Sequence, residues 1–147
     1  KTCYSNPVTI AKQLKDADLL ITSVLIPSTK APKLVTADVV KTMKKGAVII
    51  DIAIDQGGNV ETIDRVTTLD NPLFEKYGVM HCAVPNIPSY VPQTASYAYS
   101  YAILPYIKCL GERGTFLALK ENDELSRGVS TFRGTVTNEA LPEFIGD

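Results

Sequence analysis

The spacing of apolar positions changes along the chain, and each change predicts an element. After "SNP" at 5–7, Ile10, Leu14 and Ala17 recur at helical spacing. Asn6 suits a helix cap and Pro7 the first helical turn, so a helix is expected to start there. "DLLITSVLI" (18–26) is apolar on both faces, as in a parallel strand covered on both sides. "PSTKAPK" (27–33) carries two prolines and reads as loop. Thr36 is expected to cap a second short helix running through Lys45. Asp38 lies in its first turn, Lys41, Lys44 and Lys45 lie toward its end, and Gly46 follows as the stop. "AVIIDIAI" (47–54) and "GVMHCAV" (78–84) repeat the two-sided apolar pattern and predict two more buried strands.

Strand, helix, strand, loop and strand in this order predict an α/β fold with a parallel sheet of the doubly wound kind. Right-handed crossovers bring the C-terminal ends of such strands to one edge, where ligands bind. "SVLIPS", "AIDQGG" and "AVPNIP" all fall at that edge. The texture changes after Pro88. Residues 89–114 read as one long helix ending near Gly111 or Gly114, with Val91, Ala95, Ala98 and Ala102 at helical spacing. Tyr97, Tyr99 and Tyr101 alternate as a strand would, but the alanines and the length favour helix. Pro105 is expected to kink it. Beyond it, the pattern predicts a short helix around 122–127, an irregular "GVSTFRGTVTN" and a last helix from about Asn138.

Composition narrows the class. The 147 residues are 45% hydrophobic and 21% charged, enough for a domain with a real core. A net charge of −1 argues against a nucleic-acid-binding surface. No apolar run approaches the roughly 20 residues of a membrane span, and no signal peptide is seen. Cys3, Cys82 and Cys109 are far apart and form neither a zinc-like pair nor an even disulfide framework. A reducing, cytoplasmic setting and no metal site are expected. The chain opens at Lys1 without Met and soon meets a helix start, as a piece of a longer protein would.

Candidate chemistry concentrates at the strand ends. A carboxylate is costly to bury unless paired or used. Asp55 therefore has two readings: an acid at the mouth of a cofactor cleft, or a turn cap bonded to the Gly57 and Gly58 amides. Asp51, inside its strand, reads as structural. Gly57 and Gly58 allow close approach to a ligand or a sharp turn. Asn86 suits a ligand hydrogen bond or a turn. His81 is the sole histidine, the residue type suited to proton transfer near neutral pH, but its mid-strand position favours a packed, structural role. Arg65 suits an anionic ligand or open solvent. The tyrosine row reads as core and interface. No G-x-G-x-x-G follows a strand, so the phosphate-binding turn of a dinucleotide fold would precede this chain.

"VLIPSTKAPKLVT", "MKKGAVIIDIAIDQGG", "HCAVPNIPSYVPQTASYAYSYAILPYI" and "ALKENDELSRGVST" together resemble the alanine dehydrogenase family. The resemblance covers essentially the whole chain. It implies the second half of a Rossmann-type parallel sheet, followed by a long helix and a C-terminal piece of the substrate domain. Residues 1–86 would be the C-terminal half of the NAD-binding domain and 87–147 the connecting helix and substrate-domain part. Asp55 matches the catalytic aspartate. The cofactor-binding positions that the resemblance implies are Val24, Leu25, Ile52, Ala53, Ile54, Asp55, Arg65, Val84, Asn86 and Ile87. Ser28, Pro85 and Ser89–Tyr90 depart from the usual residues. The implied reaction passes a hydride from the Cα of L-alanine to NAD and gives an imine that water hydrolyses to pyruvate and ammonia. The implied assembly is a homo-oligomer, usually a hexamer, and the isolated chain is expected to be inactive. The related transhydrogenase alpha subunit shares the first segment but typically lacks an acid at Asp55. That NAD(H)-binding subunit, or a non-catalytic nucleotide-binding or assembly module, is the alternative reading.

Overall fold

A computed structural model describes residues 2–27 and 29–138. Ser28 and the helix expected beyond Asn138 lie outside the described residues. The chain divides into two compact units between Ile87 and Pro88.

In the first unit, α1 (Pro7–Leu14) starts where Asn6 Oδ1 accepts the Thr9 N–H at 2.8 Å. Strand β1 (Leu19–Thr22) follows, then α2 (Ala37–Lys41) with Thr36 as its cap. Helix α2 ends at Lys41, short of the expected Lys45. The Thr42 hydroxyl donates to the Val39 carbonyl at 2.8 Å, and the chain tightens into a turn that reaches Gly46. Strand β2 (Val48–Asp51) passes into a 3-10 helix, Ile52–Gln56, so the strand expected over 47–54 is shorter. The β1 ladder ends with it, at Thr22 paired to Asp51.

Strands β3 (Leu73–Lys76) and β4 (Val79–Cys82) complete the sheet in the order β1-β2-β4-β3. Pairings β1–β2 and β2–β4 are parallel, as the sequence pattern predicts. The antiparallel β3 was not expected. It joins β4 through a two-residue turn, Tyr77–Gly78, with φ of 58° and 77°, the double left-handed geometry that suits the twist of a hairpin.

Val40, Ile49, Val60 and Val79 are fully buried at the centre of this unit, with Leu14, Val35, Met43, Ala47, Ile63 and Ala83 around them. Removing each large apolar side chain from water stabilises the fold by about 1.5–3 kcal/mol. The sheet is covered unevenly: Leu19 and Ile21 on β1 remain more than half exposed.

In the second unit, α3 runs from Pro92 to Glu121. Its interruption falls at Gly114 (φ 71°, ψ 158°), the one residue with non-helical dihedrals, rather than at Pro105. Asn122 caps α4 (Asp123–Arg127), where its Oδ1 accepts the Leu125 N–H at 2.9 Å. Tyr106 Oη donates to Glu124 Oε2 at 2.5 Å, and Arg113 pairs with Glu121. The stretch expected to be irregular holds a small hairpin, β5 (Thr131–Phe132) and β6 (Thr135–Val136). Tyr97, Tyr99 and Tyr101 are exposed, so the core part of their core-and-interface reading does not hold, because the described residues of their unit cover only part of α3.

Candidate functional site

The parallel strands β1, β2 and β4 end on one edge of the sheet, and each is followed by an irregular segment there. After β1 the chain leaves Val24, Leu25 and Ile26 exposed. After β2, the 3-10 helix carries Ile52 exposed, Ala53 buried, Ile54 half-buried and Asp55 exposed. After β4, Ala83 and Val84 are buried and Asn86 and Ile87 are exposed.

Two of these segments are joined directly. Asn86 adopts a left-handed backbone, φ 48°, and its N–H donates to Asp55 Oδ2 at 3.1 Å. Asp55 does not serve the glycines. Gly57 N–H bonds the Ile54 carbonyl and Gly58 N–H the Ala53 carbonyl. The acid beside Gly58 is Asp51, which is buried as a structural carboxylate should be. Its Oδ1 accepts the Ala53 N–H at 3.1 Å, and its Oδ2 accepts the Asn59 and Val60 N–H groups at 2.6 and 3.1 Å. Three backbone donors thus compensate one buried charge.

His81 is likewise structural. It is fully buried, with Nε2 2.7 Å from the Thr62 hydroxyl and Nδ1 2.9 Å from the Val79 carbonyl. Its ring stacks on Phe74. Burial holds its imidazole below the ordinary value, against the opposing pull of the Val79 carbonyl.

Arg65 bonds Asp64 rather than Asp55 or Asn86. Its Nε bonds Asp64 Oδ1 at 2.8 Å and its guanidinium lies over the Phe74 ring. Asp64 also takes Lys76, and these two cations, Arg65 first, hold its carboxyl well below the usual range. Among the described residues no cluster of three or more His, Cys, Asp or Glu is placed to hold a metal.

The sequence pattern assigns Asn59 no role. It is fully buried, and its amide bonds both backbone groups of Val24. The signal available was an asparagine directly after a glycine pair, which by itself also fits an ordinary turn.

Comparisons with known proteins agree with this architecture. The family described as "Alanine dehydrogenase/PNT, C-terminal domain" matches residues 1–139. The chain is 51% identical over 142 residues to an alanine dehydrogenase of Staphylococcus saprophyticus, covering 97% of this chain and 38% of that protein. It is 52% identical over 140 residues to one from Methanococcus maripaludis, covering 95% and 38%. A solved L-alanine dehydrogenase superposes with a TM-score of 0.77 at 41% identity, over 95% of this chain and 38% of that one. A transhydrogenase from Sinorhizobium meliloti follows at 0.65 and 27%, over 92% and 36%. The chain therefore spans a little over a third of the length of these relatives, and it belongs to the alanine dehydrogenase/PNT C-terminal-domain family.

Proposed function

We propose that the chain is part of an NAD-dependent alanine dehydrogenase, which interconverts L-alanine with pyruvate and ammonia, and that Asp55 is its catalytic carboxylate. The observation that carries this reading is the position of Asp55. It is an exposed acid at the ligand edge of a parallel sheet, with one oxygen held by the Asn86 N–H. Identity above 50% to named alanine dehydrogenases, against 27% to a solved transhydrogenase, favours this reading over the transhydrogenase one.

The residues present fit the nicotinamide end of such a cofactor. Val24, Leu25 and Ile52 leave apolar surface open at the edge, suited to a flat ring, and Asp55 and Asn86 add polar groups beside it. Ile54 and Ile87 would extend that wall, the buried Ala53 and Val84 would support it, and Arg65 would be a further cofactor contact. These 147 residues contain no G-x-G-x-x-G turn for the pyrophosphate, which calls for further residues of a complete protein.

Bound there, NAD would supply the hydride acceptor for the alanine Cα. Asp55 holds and moves a proton beside that carbon. Asn86 engages Oδ2, and among the described residues no hydrogen bond engages Oδ1. That oxygen is the one to take a proton from the reacting amine or from attacking water. Residues 1–86 form the C-terminal half of the NAD domain and 87–147 the connecting helix and substrate-domain part. The assembly is a homo-oligomer of the family's hexameric type, for which Tyr97, Tyr101 and Leu104 supply exposed apolar surface. The compartment is the cytoplasm. Among the described residues no helix is long and apolar enough to cross a membrane.

The test is NADH formation by the complete protein given NAD and L-alanine. Alanine-dependent NADH is the expected result. Hydride exchange between nicotinamide nucleotides without alanine turnover would replace this reading with the transhydrogenase one.

A further inference from the structure

We infer that Asn59 is a positioning residue for the nicotinamide wall: its side-chain amide fixes the Val24 peptide where β1 has run out. The inference rests on the NAD reading above. Asn59 Oδ1 accepts the Val24 N–H at 2.9 Å, and Nδ2 donates to the Val24 and Pro32 carbonyls, both at 3.0 Å. The partners set the amide's orientation. Reversed, it would face a donor with a donor and two carbonyls with an oxygen.

A side-chain amide carries the donor and acceptor of a peptide group. Asn59 therefore stands in for a neighbouring strand just past Thr22↔Asp51, the last pair of the β1–β2 ladder. It grips only backbone, so the side chains of Val24, Leu25 and Ile26 stay on the open edge.

Asn59 is itself fixed from behind. Its N–H donates to Asp51 Oδ2, and its carbonyl accepts the Leu34 and Val35 N–H groups at 2.8 and 3.1 Å. The other Asp51 oxygen takes the Ala53 N–H, two residues before Asp55. One buried pair, Asp51–Asn59, thus sets Val24 relative to the segment that carries Asp55. Buried polar groups in such a chain are strong only while every member is satisfied.

The test uses the complete protein. Asn59→Ala keeps the main-chain bonds to Asp51, Leu34 and Val35 and removes only the grip on Val24 and Pro32. The Kd for NADH and the KM for NAD are expected to rise about tenfold, the size of one lost buried hydrogen bond or more. Asn59→Ser, too short to bridge both Val24 groups, should do the same if the alanine variant does not fold. Thr62→Val is the control: its hydroxyl is as buried but serves His81, and it should lower the melting temperature with NADH affinity within about twofold. In the unaltered protein the Val24 amide should exchange slowly with deuterium. The inference is overturned if the Asn59 variants bind NADH like the unaltered protein, if Thr62→Val weakens binding equally, or if the Val24 amide exchanges as fast as an unbonded one. Absence of NADH binding by the unaltered protein would instead overturn the NAD reading, and this inference with it.

Discussion

The N–H of Asn86 donates to Asp55 Oδ2 at 3.1 Å, joining two strand ends that lie 31 positions apart in sequence. The bond requires Asn86 to hold φ at 48°, a conformation asparagine and glycine tolerate and β-branched residues do not. Asn86→Gly keeps the N–H and the backbone, so its stability should match the unaltered chain within about 0.5 kcal/mol. Asn86→Val should lose about 1–3 kcal/mol. Urea denaturation distinguishes the two, and equal midpoints would show that the left-handed turn is not required.

Gly57 and Gly58 both have positive φ, 97° and 73°, but their surroundings differ. A Cβ on Gly58 would lie 2.7 Å from Asp51 Oδ2, whereas one on Gly57 meets nothing within 4 Å. Gly57→Ala should cost about 1 kcal/mol from backbone strain alone. Gly58→Ala should cost several times that, because it also displaces the carboxylate that holds Ala53, Asn59 and Val60. Thermal melts of the two variants should rank in that order.

His81 gives stability a pH dependence whose sign follows from its burial. Its imidazole is held below the ordinary 6.5, mainly by burial. The unfolded chain therefore takes up a proton that the folded one resists, and stability falls as pH drops through about 6.5. As the sole histidine, it is the only side chain with an ordinary pKa in that window. The pairing of Asp64 with Arg65 and Lys76 weakens only at much lower pH, because that carboxyl is held well below its usual range. Urea midpoints should be flat above about pH 7.5 and decline toward pH 5.5. In His81→Phe the decline over this window should disappear.

The 147 residues alone should show no alanine-dependent NADH formation, since they carry no phosphate-binding turn. They should also bind a hydrophobic dye through exposed Leu19 and Ile21 on β1 and Tyr101 and Leu104 on α3. Turnover by the purified chain would contradict the first expectation, and a dye signal no higher than that of the complete protein the second.

What the sequence showed and what it hid have the same physical origin. Asn6 and Thr36 mark helix starts because capping is local, and the runs of β1, β2 and β4 announce strands because they are short and apolar on both faces, even though Leu19 and Ile21 on β1 stay exposed. Strand β3 was invisible because its turn is Tyr77–Gly78, without the asparagine or aspartate that usually signals such a hairpin. The β5–β6 hairpin was missed for the same reason, as Arg133–Gly134 takes up the same pair of positive φ angles. Pattern placed Asp55 at the ligand edge, and the family resemblance gave it a role. Asn59 stayed hidden because its grip on Val24 spans 35 positions and depends on tertiary packing.

Steady-state kinetics of Asp55→Asn in the complete protein, with NADH titration alongside, test the central claim most directly. Asparagine keeps the size and still offers an oxygen to the Asn86 N–H, but it cannot take a proton at Oδ1. NADH affinity should stay within about threefold, while kcat for alanine oxidation falls by about 100-fold or more. An Asp55→Asn enzyme with undiminished kcat would contradict the account and leave Asp55 a structural acid at the sheet edge.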